Sequence, residues 1–323
     1  MTLWKRWVAW LSAEEVGTSM ALVRILIGTC VMHTILSVHL AGATQALWFD
    51  HEDGGSRKLG EGSLIIGWLG GPDPAVVHGM MALSVASAAL VALGVGGEVL
   101  ARVIAFVALQ SFMALADLNG HAGGSYDELI TNVLWLVVLA GPSRTLSWET
   151  WRSTGRVWSE RTVMFWPRML VVFQAVLMYA TTGWQKLSVH WVPGGGFSAL
   201  YYILQQPTWQ RIDMRWVAHV YPLTQIGTAV SWFWEVLAPI WFFAWVASLP
   251  GGPVTRFGAW LVRWRVREVY LVIGVMFHLL VVMWMNIGPF SWASLALYPA
   301  FVHPGEWRAV AGKVRAWRGE GGG

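Results

Sequence analysis

Apolar residues fall along this chain in long blocks, separated by polar stretches rich in glycine and proline. Blocks of this length with few charges are the pattern of helices that cross a bilayer. Eight are read, at roughly 16–41, 75–95, 100–118, 129–140, 164–187, 223–248, 269–284 and 290–302. The fourth and eighth are shorter than the roughly 20 residues a span needs, so either is equally read as re-entrant. The predicted fold is all-α, a polytopic transmembrane helical bundle of about eight spans. Two connecting stretches are long. The one that contains His51-Glu-Asp-Gly-Gly-Ser reads as a polar, turn-rich loop. The stretch 188–221 holds Trp191, Tyr201, Tyr202, Trp209 and Trp216 among few charges, after Pro193-Gly-Gly-Gly. It reads as a breaker followed by a helix lying in the interface.

Composition agrees with a membrane protein. Of 323 residues, 56% are hydrophobic and 12% charged, against about 25% charged in an ordinary soluble domain. A soluble domain of this size cannot cover its surface with so few polar groups. The 24 tryptophans predict aromatic belts at headgroup level. Cys30 is the single cysteine, so no intrachain disulfide and no thiolate metal site is expected. The first 15 residues are short, Trp-rich and partly charged, which is not the pattern of a cleavable signal peptide.

The net charge of +4 and pI near 9.4 report topology and not nucleic acid, because the basic residues sit between apolar blocks. With a cytoplasmic N-terminus and eight alternating spans, fourteen Lys and Arg fall on the cytoplasmic side and four outside. That asymmetry predicts an N-in/C-in orientation. It makes 1–15 a cytoplasmic N-terminal segment and 304–323 a basic cytoplasmic tail with no soluble domain after it. Arg24, Arg102, Arg168 and Lys186 remain within spans or at their ends.

An ionisable group inside a span is costly and normally finds a partner. Arg24, in Leu22-Val-Arg-Ile-Leu-Ile-Gly28, reads as a guanidinium that pairs with a carboxylate or snorkels to the interface. Glu235, in Ser231-Trp-Phe-Trp-Glu, needs a cation, and Arg24, Lys186 and His278 are all candidates. Lys186 is either an interfacial anchor or a base. Burial in an apolar pocket disfavours the ammonium, and a neutral amine there can take a proton from a substrate. His278 reads as a packed imidazole, a proton relay or a substrate contact. The segment from Asp117 through His121 to Asp127 and Glu128 gathers titratable groups, but at no spacing that fits a metal template, and reads as a polar turn. Phosphate-cradling glycine loops, Gly-x-Ser-x-Gly and His-Glu-x-x-His are all missing, so nucleotide hydrolysis and zinc peptidase chemistry have no support.

Four segments carry a resemblance to a known family. They are Leu22-Val-Arg-Ile-Leu-Ile-Gly28, Gly183-Trp-Gln-Lys-Leu-Ser-Val-His-Trp191, Phe277-His-Leu-Leu-Val-Val-Met-Trp-Met-Asn-Ile-Gly-Pro-Phe-Ser-Trp292, and Ser125-Tyr-Asp followed by apolar residues and Gly141-Pro. In this order they resemble the HTTM family, the membrane domain shared by vitamin K-dependent gamma-carboxylase and many bacterial proteins. The resemblance implies an HTTM-like transmembrane domain over 16–303 in a bacterial-type, multi-pass inner-membrane protein. In the carboxylase, the lysine that matches Lys186 deprotonates a reduced quinone. Reaction with oxygen then gives an epoxide and a strong base that leads to carboxylation of a glutamate side chain.

The resemblance therefore implies Lys186, His278 and His121 as catalytic residues. It implies Trp184, Trp191, Tyr179 and Phe290 as walls of a quinone pocket, with Arg24, Glu235 and Asp127 as a charge network. The expected cofactor is a reduced quinone of the vitamin K or menaquinone type, with no metal. The expected partners are the bilayer and a protein or peptide substrate on the outer face. Gly124 stands where the carboxylase has a histidine before its Ser-Tyr pair, and the carboxylase's lumenal portion has no counterpart in these 323 residues. An alternative reading is therefore a non-catalytic membrane module that binds a lipid, a quinone or a partner protein. A transporter has less support, since neither an inverted repeat nor paired broken helices are evident.

Overall fold

A computed structural model describes residues 2–59, 64–121, 123–141, 144–252 and 255–317. Pro142 of the Gly-Pro motif and the glycine-rich end, 318–323, lie outside the described residues. The chain runs α1 (Leu3–Leu11), β1 (Glu14–Val16), α2 (Thr18–Leu40), α3 (Thr44–Trp48), α4 (Leu64–Trp68), α5 (Pro74–Leu93), α6 (Glu98–Leu118), α7 (Ser125–Ala140) and α8 (Trp148–Thr154). It continues through β2 (Thr162–Met164), α9 (Trp166–Trp184), α10 (Ala199–Leu204), α11 (Tyr221–Val236), α12 (Ala238–Ala247) and α13 (Arg256–Arg263). It ends with α14 (Val266–Trp284), α15 (Phe290–Leu297) and α16 (Pro304–Trp317). Apart from one short antiparallel ladder and an isolated antiparallel bridge between Gln210 and Met285, the described secondary structure is helical.

The eight expected spans do not stand. Among the described residues four helices are long and apolar enough to cross a membrane: α2, α5, α6 and α14. A fifth crossing is available only if Arg215–Val236 and Ala238–Ala247 count as one span bent by 58°. The apolar blocks behind the other three are accounted for differently. α7 has 16 residues and turns Leu129, Ile130, Val133, Leu134 and Val137 into the core. α9 carries Arg168 and Gln174 and ends Thr-Thr-Gly-Trp. The last block is an eight-residue helix, α15, followed by a 3₁₀ turn over Tyr298–Phe301. Such short apolar runs come equally from core helices. With the alternation of eight crossings gone, the N-in/C-in orientation and the count of fourteen basic residues against four lose their basis.

The interfacial helix expected within 188–221 is replaced by three 3₁₀ segments and the six-residue α10. The tryptophans do not all form belts either, since Trp241 and Trp245 are fully buried.

The chain divides into two compact units, residues 1–171 with 302–323, and residues 172–301. In the first, α2, α5, α6 and α7 pack against one another. Small residues set the closest approach. A Cβ at Gly28 would lie 2.8 Å from the Ala88 carbonyl oxygen and 3.1 Å from the Ala92 Cβ. Backbones that approach this closely need small side chains at the crossing. Gly28→Leu is expected to cost about 1–3 kcal/mol by overpacking, read as a lowered thermal midpoint in detergent.

The same unit holds the β1–β2 ladder, with Glu15 opposite Val163. Beside it, Arg168 donates from Nε and Nη2 to the two Glu15 oxygens at 2.6 Å each. Its Nη1 lies 3.3 Å from His303 Nδ1, and the backbone N–H of His303 donates to Glu306 on α16. Burial pushes the Glu15 carboxyl up, and Arg168 draws it back.

In the second unit, α12 packs with α13 and α14, and α14 with α15. Its core is aromatic. Trp241 stacks on Phe301 at 3.7 Å and lies near Tyr270 and Tyr298.

Candidate functional site

The site grows from the end of α9. Gly183 is the last residue but one of that helix, and a Cβ on it would sit 2.7 Å from the Val236 nitrogen and 2.8 Å from the Glu235 carbonyl carbon. Only glycine lets the end of α9 abut the end of α11 this closely. The approach brings two groups 49 residues apart into contact, and Lys186 Nζ forms an ion pair with Glu235 Oε2. The Glu235 side chain is 4% exposed and that of Lys186 16%. The ammonium also faces the Trp191 ring, 4.2 Å from its centroid, in a cation–π contact. Of the three cations open to Glu235 in the sequence, the fold pairs it with Lys186.

This pair lies in the wall of a cavity of about 340 Å³. Most of the remaining lining is apolar, including Leu200, Phe277, Leu280, Trp284 and Phe290. Thr182 and Ser231 also line it, but their hydroxyls donate to the Met178 and Thr228 carbonyls of their own helices, at 2.7 and 3.1 Å. Tyr179 also lines it. Its Oη is 2.6 Å from His278 Nε2 and 3.0 Å from Tyr298 Oη. His278 is fully buried and is not among the lining residues, so it reaches the cavity only through Tyr179. Gly274 makes room for this cluster, because a Cβ there would collide with the Tyr298 hydroxyl and the Trp234 ring.

The fold thus brings together Lys186, Glu235, Trp191, Tyr179 and Phe290, with His278 one layer behind. The other expected residues lie elsewhere. Trp184 is half exposed, does not line the cavity, and donates its indole N–H to the Val236 carbonyl at 3.2 Å. Arg24, Asp127 and His121 belong to the first unit. Arg24 is buried in α2, and its Nη2 donates to the carbonyls of Leu146 and Ala92 at 2.6 and 3.5 Å. Asp127 accepts the Gly124 N–H at 2.9 Å and caps α7; burial pushes its carboxyl up, and the Gly124 N–H draws it down. His121 is exposed in the turn before α7. No cluster of three or more His, Cys, Asp or Glu with metal-binding proximity occurs among the described residues. Leu200, Gly227 and Met285 are lining residues that the sequence does not single out, since they carry no ionisable or hydroxyl group to mark them.

The HTTM domain family matches residues 14–307. The chain belongs to the HTTM domain family. Comparison with curated proteins and with solved structures returns no match. The match takes in both units and every residue of the cavity wall, so the Lys186–Glu235 pair is part of the HTTM domain and not of an appended segment.

Proposed function

We propose that the cavity of this HTTM protein takes the ring of a reduced quinone-type lipid, and that the Lys186–Glu235 pair is its proton acceptor. One observation carries the reading: a buried lysine–glutamate pair faces a cavity that is otherwise apolar and aromatic. The volume of about 340 Å³ lies within the roughly 300–1,000 Å³ of small-molecule sites. Apolar walls with a few placed polar groups suit a lipid-soluble aromatic ring. When bound, a reduced quinone supplies an acidic hydroxyl and two electrons for oxygen chemistry. Lys186 and Glu235 are the residues that would meet that hydroxyl. The pair takes up one proton and ends with Glu235 protonated and the Lys186 ammonium facing the ligand oxygen. The aromatic walls exclude water and keep that oxygen beside the ammonium. The resemblance to vitamin K-dependent gamma-carboxylase, where the matching lysine is the base, supports the enzyme reading.

The test uses protein purified in detergent with reduced menaquinone or vitamin K and oxygen. Epoxide is expected, falling at least about 100-fold in Lys186→Ala, the low end of what a positioned base contributes. No epoxide, or an equal amount from the variant, removes the enzyme claim. A second reading is favoured by the pair itself. An ammonium already held by Glu235 and Trp191 is a binding contact without being a base, and the protein is then a non-catalytic lipid-binding module. That reading expects a lipid to co-purify in native mass spectrometry while epoxide stays absent.

A further inference from the structure

The short helix α13 (Arg256–Arg263) carries two features that the fold leaves unused. Thr255 caps it, its hydroxyl accepting the Gly258 N–H at 3.0 Å. It packs with α12 and α14 and buries Gly258 and Leu261. Phe257, Trp260 and, at the C-cap, Trp264 stay half exposed or more, and the Phe257 and Trp260 rings lie nearly parallel. Spaced by three and four residues, the three rings form one stripe. An aromatic stripe left outside a core marks a contact surface.

Beside the stripe stand Arg256, Arg263 and Arg265. All three are exposed, and among the described residues none of them makes an ion pair or a side-chain hydrogen bond. No Asp or Glu occurs in the sequence between Glu235 and Glu268, and Glu268 accepts from Arg267. Arg256 opens α13, where a cation opposes the helix dipole. These charges add nothing to the helix and call for an anion from outside. The helix also ends where a span begins. Arg265 immediately precedes α14, one of the four helices long and apolar enough to cross a membrane. Exposed apolar residues recur along α14 at Val269, Val272, Met276 and Met283, a single face that starts one turn past Arg265. A helix of eight residues is about 12 Å long, too short to cross. Joined to the end of a span, its place is the headgroup level, where tryptophan and arginine are both favoured.

We propose that α13 is a docking surface for anionic phospholipid. Its aromatic stripe enters the bilayer beside the exposed face of α14, and Arg256, Arg263 and Arg265 hold phosphates that lack a counter-charge in their own headgroup. A guanidinium fork suits a phosphate, which accepts two parallel hydrogen bonds from it. No residue of α13 lines the cavity, so this inference stands apart from the functional reading above.

The experiment titrates phosphatidylglycerol and phosphatidylcholine with identical acyl chains, separately, into the full chain in detergent. Native mass spectrometry reads the dissociation constant of the first lipid bound. Wild-type protein is expected to favour phosphatidylglycerol by at least about tenfold, since each arginine near a lipid surface contributes up to about fivefold. Arg263→Gln is expected to lower that ratio about two- to fivefold, and the triple variant Arg256→Gln with Arg263→Gln and Arg265→Gln to bring it near unity. Affinity for phosphatidylcholine should hold within about twofold, which shows that the variants are folded. A control removes the same charge elsewhere, at the exposed Arg57, Lys58 and Arg211, and should leave the ratio within about twofold of wild type. No preference in wild-type protein, a preference that survives the triple variant, or an equal loss in the control overturns the inference. So does a dimer that is lost in Phe257→Ser with Trp260→Ser while the lipid ratio stays put, because the face then belongs to a second copy of the chain.

Discussion

Glu235→Ala is expected to destabilise the protein by about 3–5 kcal/mol, because it leaves the Lys186 ammonium buried without its counter-charge. The pair has little access to water, so solvent does not take over the lost contact. Lys186→Met should cost a similar amount by stranding the carboxylate. The double variant Lys186→Met with Glu235→Leu removes both charges and fills the space with apolar atoms, and is expected to recover most of the loss. Thermal unfolding in detergent gives the order: both single variants well below wild type, the double variant near it. A double-variant loss equal to the sum of the two single losses would mean that the charges do not see one another. The double variant also serves function, since it should fold normally and yield no epoxide.

Arg168→Ala is the second large effect, expected at about 3–5 kcal/mol. The guanidinium is almost fully buried and holds both oxygens of Glu15 while facing His303 and the Phe165 ring. Arg168→Lys should rescue only a minor part, because an ammonium cannot make the two parallel hydrogen bonds that the planar fork makes. Hydrogen exchange localises the damage. Amides of the β1–β2 ladder and of α16 are expected to lose protection together, since Glu15 and His303 tie both to Arg168. Exchange unchanged in α16 would show that the His303 contact contributes nothing.

The sequence shows the crossing helices clearly where an apolar run is long and unbroken, as in α2, α5, α6 and α14. It misleads where a run is short. Leu129, Ile130, Val133 and Leu134 read alike whether they face lipid or α2 and α6, and nothing local separates the two. At the site, Lys186, Glu235, His278 and Tyr179 stand out because ionisable and phenolic groups are conspicuous among apolar neighbours. Their pairing is not visible, since it depends on Gly183 letting α9 touch α11 across 49 residues of chain. The cluster of Tyr179, His278 and Tyr298 is hidden for the same reason: they come from three elements with no shared spacing. Arg168 with Glu15, 153 residues apart, appears in the sequence only as two charges at the ends of unrelated segments.

The corner between α11 and α12 has a consequence of its own. An interrupted helix in hydrocarbon must find new donors for the carbonyls it frees. Here the Val236 carbonyl receives the Trp184 indole N–H at 3.2 Å, and the Leu237 carbonyl, which already takes the Ile240 N–H, also receives the Tyr270 hydroxyl at 2.9 Å. The bend is thus bolted from two sides, one residue past Glu235, and is a bracket and not a hinge. Under the proposed reading, a ring arriving at that carboxylate would meet a wall already held by its own hydrogen bonds, so little of its binding energy would go into ordering the host.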